Sequence, residues 1–202
     1  DKAFVFCCFN NNYKISDLEF DIWMRLLSKV KGSVLWLRRS NQLSDKNIIK
    51  AAKKRNICAS RIVFADKLPM KEHLSRHKLA DLFIDTFSFN AHTTASEALW
   101  SGLPVVTKQG QGFSARVAAS LLNAIGLPEL ITENDHDYES LILELATNPN
   151  KLFQIKEKLA ANRLSHPLFD TELYTKHLEN GYLAAYQNYC DGKVPETIIV
   201  PK

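Results

Sequence analysis

The feature that most constrains this chain is an alternation. Short, nearly continuous apolar runs recur along it, and each is followed by a stretch with helical spacing. The runs are AFVFCCF (3–9), SVLWLR (33–38), RIVFA (61–65), LFID (82–85), PVVT (104–107) and ELIT (129–132). A strand that is apolar at every position has to be covered on both faces, which is the situation of a parallel sheet with helices on each side. The intervening segments supply those helices. Residues 16–32 open with Ser16 and Glu19 in capping-box spacing, carry Leu18, Ile22, Leu26 and Val30 as one stripe, and stop at Gly32. Further helices are expected over 44–56, 70–78 and 94–101. Right-handed crossovers between such units give an α/β, Rossmann-like, doubly wound parallel sheet.

Beyond about position 135 the strand signals stop. Residues 138–148, 149–164 and 171–192 all carry helical patterns, with Pro149 and Pro167 as punctuation. The expected organisation is a Rossmann-like lobe over 1–165 and a C-terminal helical extension over 166–202 packing on it. No internal repeat or low-complexity tract appears. A length of 202 residues suffices for one substantial core plus an appended element. The chain enters a buried strand at once and so reads as a piece of something longer.

Composition narrows the partners. The net charge of +4 is mild and evenly spread, which suits a small anion and argues against nucleic acid. No apolar run reaches the length of a membrane span. Cys7, Cys8, Cys58 and Cys190 show no C-x-x-C spacing and read as buried, reduced thiols of a cytoplasmic protein.

Open α/β sheets bind ligands beyond the carboxyl ends of their strands, next to helix N-termini. The segment TFSFNAHTTASEALWSG (86–102) lies there. Unpaired amides at a helix start make a phosphate seat, to which His92, Thr93 and Thr94 would contribute. The plain alternative makes Thr94 a cap and His92 a loop residue. Thr94 and Glu97 also have capping-box spacing, so Glu97 either bonds back to the helix start or accepts from a ribose hydroxyl pair. Lys14, in FNNNYKIS, falls on the same strand-end face. It is either solvated or set against a diphosphate, and Asn10, Asn11 and Asn12 around it favour turns and present amide donors. His73 and His77 are one helical turn apart, but H-E-x-x-H order and a third ligand are missing, so no metal is expected. An exposed basic helix accounts for His77. The GQG at 110–112 is too short for a dinucleotide fingerprint, and could form a phosphate-facing loop before Ser114 and Arg116.

Taken together, FNNNYKI, SVLWLRR, RIVFADKLPMKEHLSRHKLADLFIDT, NAHTTASEALWSGLPVVT, SARVAASLLNAIGLPELI and SHPLFDTELYTKHLENGYLAAY resemble the C-terminal catalytic half of the O-linked N-acetylglucosamine transferases, Spindly-like and bacterial relatives included. The stretches follow one another in order over most of the chain. The resemblance implies the C-terminal lobe of a two-lobed GT-B glycosyltransferase, which holds a UDP-sugar donor and needs no metal or other cofactor. It implies that Lys14 neutralises the diphosphate and acts in catalysis, and that His92, Thr93 and Thr94 cradle the same group. It sets His73 against the uracil-ribose with Arg76 beside it, and gives Leu68 a backbone contact to the base. Asn11 stands where the family commonly has Gln, Glu97 where it has Asp, and Met70 where it often has Lys, with Lys71 adjacent.

The implied reaction is inverting transfer of N-acetylglucosamine from UDP-N-acetylglucosamine to a protein Ser or Thr hydroxyl. The acceptor would be bound with an N-terminal lobe, usually preceded by tetratricopeptide repeats, that this sequence does not contain. No strong general base is expected here, and the piece alone should turn over little. A UDP-glucose-dependent transferase or a UDP-sugar epimerase would share the nucleotide site, and a non-catalytic nucleotide-sensing or assembly module is a further reading. Leu173, Leu178, Tyr182, Leu183 and Tyr186 in the last helix would face the other lobe, or a second copy in a homo-oligomer.

Overall fold

A computed structural model describes residues 3–200. Strand β1 (Val5–Cys8) is followed by α1 (Asp17–Lys29), β2 (Val34–Arg38), α2 (Gln42–Lys54), β3 (Ile62–Ala65) and α3 (Met70–Arg76). Then come β4 (Leu82–Ile84), α4 (Thr93–Trp100), β5 (Val105–Lys108), α5 (Val117–Ala124) and β6 (Ile131–Thr132). Three helices close the chain: α6 (Asp135–Thr147), α7 (Pro149–Asn162) and α8 (Thr171–Cys190).

The strands form one six-stranded sheet in the order β3-β2-β1-β4-β5-β6. Every pairing is parallel, with Phe6 opposite both Leu35 and Leu82. The winding direction therefore reverses between β1 and β4, and their carboxyl ends flank the crevice where such sheets take ligands. The apolar strand runs are buried as their composition requires: Phe6, Cys7 and Cys8 in β1, and Leu82, Phe83 and Ile84 in β4.

The Ser16–Glu19 capping box forms, with the Ser16 amide donating to Glu19 Oε1 at 2.8 Å. The α1 stripe begins later than its spacing suggests. Leu18 stays 63% exposed, while Ile22, one turn on along the same side, is buried with Trp23, Leu26 and Leu27. At the helix start nothing covers that side, and cover begins only with the second turn. The thiols also divide: Cys7 and Cys8 are buried, but Cys58 and Cys190 are exposed because they lie in a connection and at a helix end.

Two features tie the helical layer to the strand ends. Tyr138 of α6 is buried, its hydroxyl donating to the Asp85 carbonyl at 2.8 Å and accepting from Trp23 Nε1 at 3.1 Å. Tyr138→Phe leaves both partners unsatisfied and is expected to cost roughly 1–3 kcal/mol, read as a lower urea midpoint at unchanged slope. At the end of α5, Gly126 has φ +74°, and a Cβ there would lie 2.6 Å from the His166 ring. Only glycine permits both that backbone conformation and that approach. The chain after α7 thereby folds back onto the layer, with Phe169 against Trp100 at 5.0 Å between ring centroids. By contrast, α8 buries none of its 20 residues. Leu178, Tyr182, Leu183 and Tyr186 are exposed on it, and Leu173 is half-buried.

Candidate functional site

The site is built by three strand-to-helix connections meeting at the β1/β4 crevice. After β1, a 3-10 turn over Asn12–Lys14 brings Lys14 back across the strand end. Its ammonium donates to the Asn90 carbonyl at 3.1 Å and lies 3.8 Å from the Phe89 ring centroid. After β3, Pro69 starts α3, which projects His73 and Arg76. After β4, residues 85–92 lead into α4, whose N-cap is His92.

Asp85 organises that last loop. It is fully buried, and its carboxylate accepts from the Thr86 amide at 2.8 Å, the Ala91 amide at 2.7 Å, Asn10 Nδ2 at 3.1 Å and the Thr107 hydroxyl at 2.8 Å. Burial nevertheless pushes its pKa up to about 6, against the pull of these donors. Asn10, buried as well, passes the constraint to α4: its Oδ1 accepts from the Thr94 hydroxyl at 2.6 Å. The Ala95 and Ser96 amides close onto the His92 carbonyl, and those of Thr93 and Thr94 have no hydrogen-bond partner among the described residues. Two donors at the positive end of α4 are thus left open.

Nine of the residues singled out in the sequence line one cavity of about 390 Å³: Asn11, Lys14, Leu68, His73, Arg76, His92, Thr93, Thr94 and Glu97. Phe9, Asn10, Arg38 and Lys67 complete it. Four cationic side chains and one carboxylate face this space, a balance that suits a multiply charged anion. A larger cleft of about 880 Å³ opens between the starts of α1 and α2. Its one charged side chain is Asp17, the wrong sign for a phosphate ligand.

The second capping box does not form. With His92 as N-cap, Glu97 falls two positions past the place from which a carboxylate reaches back, and Thr94 bonds Asn10 instead. Glu97 Oε2 meets His73 Nε2 at 3.0 Å. Arg76 donates to the other ring nitrogen, Nδ1, which leaves Nε2 as the nitrogen that donates to Glu97. Nor is α3 an exposed basic helix. His77 is 1% exposed, its Nδ1 bonded to the His73 carbonyl, and burial lowers its pKa to about 4. Arg76 is buried over the Phe9 ring at 4.6 Å and donates to the Asp66 carbonyl at 2.6 Å. Burial likewise lowers the Lys14 pKa, opposed by the charge of Asp85.

The 110–116 loop reaches the site at His92, through the Ser114 carbonyl 3.3 Å from Nε2 and the Phe113 ring edge-on at 6.2 Å between centroids. The Ser114 hydroxyl turns to the Ser88 carbonyl, and Arg116 lines a separate cleft with Gln111 and Phe113. Among the described residues no three His, Cys, Asp or Glu side chains are grouped to hold a metal ion. No helix among them is long and apolar enough to cross a membrane. Spacing gives no sign of Asp85 or Phe89, and for Asn10 it suggests a turn and an amide donor but not the buried link it makes between Asp85 and Thr94. The available signal was a carboxylate ending an apolar strand, since a buried charge needs partners and so marks a constrained loop.

Known proteins match this arrangement. The chain is 36% identical, over 95% of its length, to a UDP-N-acetylglucosamine–peptide N-acetylglucosaminyltransferase of Caenorhabditis elegans, covering 17% of that protein. It is 35% identical, over 97% of its length, to an Arabidopsis thaliana protein named as a probable enzyme of the same activity, covering 20% of it. The chain thus spans about a fifth of these relatives. A solved structure of a Thermobaculum terrenum O-GlcNAc transferase mutant superposes with a TM-score of 0.90 at 27% identity, over 95% of this chain and 38% of that one. The family model described as glycosyl transferase family 41 matches residues 1–178, and the chain belongs to that family.

Proposed function

We propose that the cavity binds the donor UDP-N-acetylglucosamine, and that the chain is the donor-binding lobe of an inverting protein O-glycosyltransferase. The observation that carries this is the convergence of the Lys14 ammonium and the open Thr93 and Thr94 amides on one cavity at the switch point of the sheet. The pyrophosphate sits between them. The nucleoside lies toward Leu68, His73 and Arg76, with the Glu97 carboxylate accepting from the ribose and Asn11 donating near the phosphates. The acceptor Ser or Thr oxygen attacks the anomeric carbon, the bond from that carbon to the β-phosphate oxygen breaks, and UDP leaves with the electron pair. Lys14 and the α4 amides stabilise the charge that grows on the leaving oxygen, where preorganised donors act most strongly. Lys14, Arg38, Lys67 and Arg76 supply positive charge toward the phosphates, which supports a step that needs no metal.

The base that takes the hydroxyl proton and the acceptor site belong to another lobe of the full-length protein. The exposed face of α8 is assigned to contact with that lobe; a second copy of the chain is the other occupant a measurement of oligomeric state would detect. The buried free thiols of β1 support a reducing, cytoplasmic setting.

Calorimetric titration of the chain with UDP, UDP-N-acetylglucosamine and UDP-glucose tests the reading. Weak but saturable binding of UDP is expected, at about −4 to −8 kcal/mol, with the N-acetylated donor preferred to UDP-glucose. No heat from any of the three would end the nucleotide reading. Preference for UDP-glucose would reassign the donor.

A further inference from the structure

We infer that Phe89 is a positioning residue for Lys14, holding its ammonium aimed into the cavity before a ligand arrives. The inference rests on the reading of that cavity as a pyrophosphate site.

A lysine in solvent samples many rotamers and loses nearly all of them when it grips an anion. Lys14 is already held. Of its three N–H groups, one donates to the Asn90 carbonyl at 3.1 Å. The Phe89 ring, with its centroid 3.8 Å from Nζ, takes a second face of the ammonium by cation–π attraction. No further acceptor bonds the third among the described residues, and Lys14 lines the cavity.

The ring is itself fixed at the other side of the anion site. Phe89 stacks on His92 with centroids 4.8 Å apart and planes at 25°. The Phe89 carbonyl accepts from the Thr86 hydroxyl at 2.6 Å, and that hydroxyl in turn accepts from Asn10 Nδ2 at 2.8 Å. One side chain thereby sets the distance between the lysine and the N-cap of α4, the two halves that must meet the same phosphates. Phe89 is 39% exposed, far more than a core phenylalanine such as Phe83 at 0%, so packing alone does not account for it.

The test uses UDP as the probe on the chain carrying 3,4,5-trifluorophenylalanine at position 89, which keeps the shape of the ring and removes its negative face. A partly exposed cation–π contact corresponds to about two- to tenfold in affinity. UDP binding is expected to weaken within that range, with the melting temperature unchanged, and Phe89→Leu should weaken it similarly. In the Lys14→Met background, fluorination should have no effect. Unchanged UDP affinity on fluorination, or an equal loss in the Lys14→Met background, would overturn the inference. A wild-type chain that does not bind UDP would overturn the nucleotide reading instead. In that case the Lys14 ε-methylene proton resonance decides. An upfield ring-current shift that disappears in Phe89→Leu supports the positioning role, and an unshifted resonance overturns it.

Discussion

Lys14→Ala in the full-length protein is expected to reduce transfer by about a thousandfold, while stability changes by no more than about 0.5 kcal/mol. The asymmetry follows from where the ammonium sits. Its one hydrogen bond is to the Asn90 carbonyl, which water can replace at a cavity wall, so the fold loses little. On the proposed reading the reaction loses the ammonium donor that faces the leaving phosphate, and the Thr93 and Thr94 amides remain. Lys14→Arg should rescue poorly. A planar guanidinium cannot present one N–H to Asn90 and a compact charge to Phe89 in the same space. Initial rates with a peptide acceptor, beside UDP titration of the same variants, make the measurement. Transfer near the wild-type rate in Lys14→Ala would remove the lysine from the mechanism.

Asp85→Ala is expected to be the most damaging substitution to the fold near the site, at about 3 kcal/mol. It strands two backbone amides, the Asn10 amide and the Thr107 hydroxyl in a place water does not reach. In a chain of this size that corresponds to a fall in melting temperature of about 6–12 °C. The same residue gives stability a distinctive pH dependence. Its folded pKa of about 6 lies above the ordinary 3.8, so between these values the folded chain retains a proton that the unfolded chain has lost. The contribution of Asp85 to stability is full below pH 4, falls as pH rises through 6, and is level beyond. Asp85→Asn removes that titration. Urea unfolding of both chains at pH 4, 5, 6 and 7 should show wild type losing stability relative to the variant up to about pH 6. A difference independent of pH would mean that Asp85 does not take up its proton in the folded state.

The layer order was legible because continuous apolar runs such as LFID admit few placements other than a covered parallel strand. The location of the site followed from the same topology, since β1 and β4 end side by side and their loops carry Lys14 and His92. What sequence could not fix was which partner each polar group would choose. Thr94 and Glu97 have the local spacing of a capping box, yet the helix begins at Thr93 with His92 as its N-cap, and side chains distant in sequence outcompeted the local bonds: Asn10 for the threonine, His73 for the glutamate. His77 looked like a surface residue because its neighbours are polar; it packs against Phe9, which arrives from the end of β1. Phe89 has no periodicity to announce it, and its contact with Lys14 spans 75 positions of chain. Contacts between connections, rather than within elements, were the part that spacing did not encode.

The helix α8 has a consequence of its own. Ordering twenty residues without burying one of them gives up chain freedom that local packing does not offset. Within the described residues its cover stops at a half-buried edge that includes Leu173, His177 and Ala184. A melting curve of the isolated chain should therefore separate early fraying of this helix from the later cooperative collapse of the core.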